Sequence, residues 1–194
     1  MKIKTTTNKD ELGSIINTIK EDPKLNEKEK NEKMAEILIF VAHQAGRVNR
    51  SFIDRRPWRL SGDHSRLSAV RRLADHLSEE EKVKVLKEVV NAYMNVVTTY
   101  HWEDSYIWIK DAVETASKIP GKEGDETLEK LEKEFLKRNW IYGIYRVVKA
   151  WKEKGEIGKA NELWRKLEFR YAALCLDNKD IGPRPFSDWS PYVD

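Results

Sequence analysis

Eight of the thirteen arginines in this 194-residue chain, Arg47, Arg50, Arg55, Arg56, Arg59, Arg66, Arg71 and Arg72, fall between residues 47 and 72, a window that contains no lysine. The choice of cation carries information. A guanidinium is a planar fork of donors that bonds phosphates and carboxylates in pairs and stacks on flat rings, whereas lysine offers a hydrated point charge. Trp58 stands inside the run Arg55-Arg56-Pro57-Trp58-Arg59. Arginines that hold a phosphate backbone, with an indole that stacks on an unpaired base, are the equipment of RNA and single-strand binders. The eight arginines and Trp58 therefore form the candidate nucleic-acid-binding set. The competing reading is internal, with the same arginines in ion-pair networks to carboxylates such as Glu79, Glu80 and Glu81.

The charge is local. Residues 1–42 hold eight Lys against eight Asp or Glu, residues 43–78 hold eight Arg against three Asp, and the chain as a whole is only +3. A segment of +5 beside balanced ones is the electrostatic footprint of a nucleic-acid binder. Zinc-finger, groove-reading and RNP-type patterns are absent, so sequence-specific DNA readout is not expected.

Signals for catalysis are thinner. The histidines are His43, His64, His76 and His101, with neither H-x-x-x-H nor E-x-x-H to put metal ligands on one helical face, so no metal or cofactor is expected. In Asp63-His64 and Asp75-His76 the members are sequence neighbours, which point apart on a helix and make no ready acid–base pair. His101, Glu103 and Asp104 flank Trp102 and read either as a polar pocket or as a turn whose acids cap the next helix. Arg71-Arg72-Leu73-Ala74-Asp75-His76 has the R-x4-H spacing and resembles the motif of HEPN-type helical-bundle ribonucleases; Arg59 to His64 fits it too. The resemblance implies metal-independent RNA cleavage, with His76 handling protons and Arg71 clamping phosphate. A binding or assembly role is nevertheless expected in preference to an enzyme.

These residues need elements to place them, and the periodicity is helical throughout. Asn8 caps a helix through Leu12, Ile16 and Ile19 that ends before Pro23. A second runs from near Glu27 through Met34, Leu38 and Val41 towards Phe52. Asp54 to Asp63 reads as an ordered loop, after which Asp63 or Ser65 caps a helix bearing Leu67, Val70, Leu73 and Leu77. Ser78 and Glu81 form a capping-box pattern opening a central helix through Leu86, Val90, Tyr93 and Val97. Residues 103–119 give another, then a polar linker at 122–125. One long pattern from Thr127 to Trp151 follows, with Gly143 marking close approach by a neighbour, and a last helix carries Ile157 to Leu174. The expected class is all-α, a bundle of six or seven helices. The expected parts are an N-terminal portion at 1–78, helical hairpins at 79–177 and a tail at 178–194, within one compact domain.

Residues 145–167, with Ala150, Trp151, Gly155, Ala160 and Trp164 in order, resemble the turn region of a tetratricopeptide hairpin, without a second copy at a 34-residue period. That resemblance implies protein–protein or RNA scaffolding. The tail interleaves Pro183, Pro185 and Pro191 with Phe186, Trp189 and Tyr192, and reads as an extended arm packed on its own bundle or docked on a protein partner or second subunit. Cys175 among Ala172, Ala173 and Leu174 is a structural thiol. No long uncharged apolar run or leader pattern is present, so a cytoplasmic protein without membrane contact is expected. A charged fraction of 36% with one glutamine, Gln44, is thermophile-like.

Overall fold

Helical spacing of apolar residues carries through to the architecture. The computed structural model describes residues 9–47, 58–100 and 106–177, with side chains at 10–47, 63–99 and 106–172. Among the described residues the elements are α1 (Lys9–Glu21), α2 (Glu27–Gly46), α3 (Trp58–Leu73), a 3-10 turn (Ala74–His76), α4 (Glu79–Tyr100), α5 (Tyr106–Ser117), α6 (Gly121–Arg138), α7 (Ile141–Glu153) and α8 (Ile157–Asp177). The class is all-α, with no strand among them. The chain divides into two compact units, Met1–Thr127 and Leu128–Asp194, the boundary falling inside α6.

In the first unit α4 is the hub and packs against α2, α3 and α5, while α1 lies on α2 and α3. Each helix contributes an apolar stripe to one interior: Leu12 and Ile16 from α1, Leu38 and Val41 from α2, Leu67 and Val70 from α3. Val85, Leu86, Val89 and Val96 come from α4, and Ala112, Val113 and Ala116 from α5. The start of α2 is fixed by Asn26, whose side chain accepts from the Glu29 amide while the Glu29 carboxylate accepts from the Asn26 amide, both at 2.9 Å. Two otherwise orphaned amides are satisfied reciprocally.

The second unit is built around the α7–α8 pair. Trp151, Ile144, Val147 and Leu163 are buried there, as is Phe135 of α6. Gly155, at φ 80°, turns the chain between the two helices. Its amide donates to the Lys152 carbonyl (3.0 Å) and the Glu156 amide to the Trp151 carbonyl (2.9 Å), which closes α7 with the left-handed residue that glycine adopts freely. Gly143 is where a neighbour comes close, as its sequence position indicates: a Cβ added there would meet the Phe135 ring at 2.7 Å.

The boundaries differ from expectation in four places. First, Trp58 to Asp63, expected as loop, forms the opening turns of α3. A proline just ahead of a helix has no needed donor to lose, and a single Gly62 costs only about 1 kcal/mol in a helix interior. Second, α2 stops at Gly46, short of Phe52, with Arg47 extended at its end. Third, the pattern from Thr127 to Trp151 is two helices. Asn139 takes φ 57°, and the Trp140 amide donates to the Phe135 carbonyl at 3.0 Å, which terminates α6. The polar stretch 122–125 belongs to α6 and is not a linker. The Asn8 cap and the tail at 178–194 lie outside the described residues, as does the Cys175 side chain.

Candidate functional site

On α3, His64, Ser68 and Arg71 sit at i, i+4 and i+7 and so share one face, beside the buried stripe of Leu67 and Val70. On α5, Trp108 and Asp111 are one turn apart, and both are buried. These two faces meet. Asp111 Oδ2 lies 2.8 Å from His64 Nε2, and Asp111 Oδ1 lies 3.7 Å from Arg71 Nη1, which is also 3.9 Å from Glu114 Oε2. Trp108 sets its ring edge-on to the imidazole (centroids 5.2 Å apart), and Tyr93 of α4 closes the third side at 6.0 Å.

The cluster is polar, walled by aromatic rings and incompletely bonded. His64 Nε2, Arg71 Nε and Nη1 and the Tyr93 hydroxyl are buried without an aligned hydrogen bond. The His64–Asp111 contact is short but bent, held by proximity and charge more than by a straight bond. Burial by itself would raise the Asp111 carboxyl; the His64 contact and the Arg71 guanidinium outweigh it and hold the group below its ordinary value. Burial pushes the Tyr93 phenol up to about 12, with Ser68 and Arg71 opposing and Asp111 assisting. The cluster sets one guanidinium, Arg71, against two carboxylates, Asp111 and Glu114.

The arginines of the basic window separate into two groups. Arg71 is turned to α5 and Arg66 is tied to Asp63 at 3.2 Å, whereas Arg47 and Arg72 are exposed and no described carboxylate pairs with either. Arg50, Arg55 and Arg56, and the side chains of Trp58 and Arg59, lie outside the described residues. Glu80 and Glu81 are taken by Lys84, so the acids that meet the described arginines of this window are Asp63, Asp111 and Glu114 instead. His76 is exposed on the 3-10 turn, and no hydrogen bond or ion pair joins it to Arg71. Asp75 pairs with Lys82, and His43 meets Glu88 at 2.8 Å. The cluster His101, Glu103 and Asp104 lies outside the described residues.

Sequence reasoning missed Asp111 and, with it, the partner of His64. The signal was present: Asp111 is a lone acid one turn after Trp108 on an otherwise apolar helical face, a placement that demands a partner. Among the described residues no group of three His, Cys, Asp or Glu side chains is placed to hold a metal ion, and no helix is long and apolar enough to cross a membrane. No family model, curated protein or solved structure matches the chain.

Proposed function

We propose that the protein binds RNA or other single-stranded nucleic acid through the arginine-rich segment that joins α2 to α3. The supporting observation is the uncompensated charge. Eight Arg stand against three Asp in residues 43–78, and at the two ends of the window Arg47 and Arg72 are exposed without a described acidic partner. The ion pairs narrow the contact set. Arg66 and Arg71 are occupied within the fold, so the phosphate-facing residues are Arg47, Arg50, Arg55, Arg56, Arg59 and Arg72, with Trp58 stacking on a base.

The test is binding of labelled single-stranded RNA across salt concentrations, with wild type and the triple variant Arg55→Ala, Arg56→Ala, Arg59→Ala. Each lost phosphate contact removes about 0.7 from the slope of log affinity against log salt for a single strand, so the triple variant should lose roughly 2. Equal affinity and slope in both proteins would overturn the assignment.

A second reading has its own observation. Phe169 on α8 is 78% exposed, ahead of a tail that holds Phe186, Trp189 and Tyr192. A protein partner gripping that surface would co-purify after nuclease treatment and be lost on Phe169→Ala.

A further inference from the structure

We propose that α3 is an order–disorder element, a helix that unfolds by itself while the rest of the first unit stays folded, releasing Arg66 and Arg71 as it does so. The inference stands whether or not RNA is the ligand. Three independent features of the helix carry it. The first is intrinsic. Six of its sixteen residues, Ser61, Gly62, Asp63, His64, Ser65 and Ser68, are poor helix formers, and a helix of this length is marginal in water without packing. The second is the apolar footprint. Among the described side chains of α3 only Leu67, Ala69 and Val70 are buried apolar groups, whereas α4 buries apolar side chains along its length from Val85 to Val97. Elements with few buried apolar contacts are the ones that open first.

The third is the seam that α3 presents to α4 and α5. His64, Ser68 and Arg71 put polar groups along one face of the helix, opposite Tyr93, Asp111 and Glu114. Buried charges are stabilising only when geometry and hydrogen bonding are excellent. Here four buried atoms on His64, Arg71 and Tyr93 lack an aligned bond, and Arg71 meets its two carboxylates no closer than 3.7 Å. The seam fixes which way the helix faces and adds little to its hold. Water entering on opening would solvate Asp111 and the Tyr93 hydroxyl, which lowers the cost of opening further.

Unfolding of α3 breaks the ties within it and across the seam together. Arg66 parts from Asp63 one turn away on the same helix, and Arg71 parts from Asp111 and Glu114 on α5. The folded helix keeps these two guanidiniums occupied and leaves Arg72 exposed. One local transition therefore sets how many of the three are available to an anion.

The experiment is amide hydrogen exchange on the free full-length protein, read residue by residue by NMR and corrected for intrinsic rates. Amides from Leu67 to Leu73 should be protected at least about ten-fold less than those from Val85 to Val97. Asp111→Asn should lower protection in α3 by about another ten-fold while α4 stays within about two-fold, because His64 and Arg71 are left facing a weaker partner. Joint replacement of the seam, His64→Leu with Arg71→Met and Asp111→Leu, should instead raise protection in α3 above that of wild type, because apolar groups then fill the same space. Equal protection of α3 and α4 in the wild-type protein overturns the inference, since the two helices then open only together. A joint variant that keeps its helix content by circular dichroism and protects α3 less than wild type also overturns it, since the polar seam would then be what holds the helix.

Discussion

Arg71 and Arg72 are adjacent in sequence and opposite in circumstance. Arg71 leans on Asp111 and Glu114, whereas Arg72 is exposed with no described partner. Alanine at 72 should weaken RNA binding and leave the melting temperature within error. Alanine at 71 should lower the melting temperature, because it leaves the Asp111 carboxylate buried with one partner fewer. A melting curve and a binding isotherm on the two single variants separate them. Titration gives the cluster a further signature. The Tyr93 phenol is raised to about 12 in the fold from an ordinary 10, so the unfolded chain ionises first as pH climbs. Its contribution is complete below pH 10 and is lost between there and 12, amounting to up to about 3 kcal/mol. The Asp111 carboxyl is depressed, so its contribution is present above pH 4 and is lost as pH falls through the lower folded value. Denaturant melts across pH should show an alkaline limb that is shallower in Tyr93→Phe and an acid limb that is shallower in Asp111→Ala.

At the scale of elements, what repeats was readable and what interrupts was not. Helix identity follows from apolar stripes such as Leu12 with Ile16 or Leu86 with Val90 and Tyr93, whose burial the structure bears out. Helix ends depend on single residues competing with that pattern. Asn139 in a left-handed conformation halts α6 although apolar spacing continues across it to Trp151, and nothing in composition distinguishes this asparagine from one that stays helical. The site was legible by halves for the same reason. The arginine cluster is a composition signal, confined to one stretch, whereas the pairing of His64 with Asp111 joins positions 47 residues apart and depends on how α3 and α5 pack. Gly143 was legible because close helix approach selects glycine. Alanine there would place a methyl 2.7 Å from the buried Phe135 ring, and overpacking of that kind costs about 1–3 kcal/mol. Chemical denaturation of Gly143→Ala should give that loss without a change in helix content by circular dichroism.

For the whole molecule the question is whether binding answers to net charge or to where the charge sits. The chain carries +3 overall, which is too little to gather nucleic acid by bulk attraction at physiological salt, where charges further apart than about 8 Å are screened. The +5 segment is dense enough to act within that distance, and guanidiniums add directed bonds that a diffuse field does not. Two triple variants with the same change in net charge decide the matter. Arg55→Ala with Arg56→Ala and Arg59→Ala removes three cations from the segment. Lys33→Ala with Lys133→Ala and Lys137→Ala removes three exposed lysines from α2 and α6. The arginine variant should lose at least ten-fold in RNA affinity at moderate salt, while the lysine variant binds within about two-fold of wild type. Equal losses in the two would assign binding to the overall field and remove the reason for placing the site between α2 and α3, because a diffuse attraction has no preferred contact. Unequal losses in the expected order would tie affinity to the segment that leads into α3.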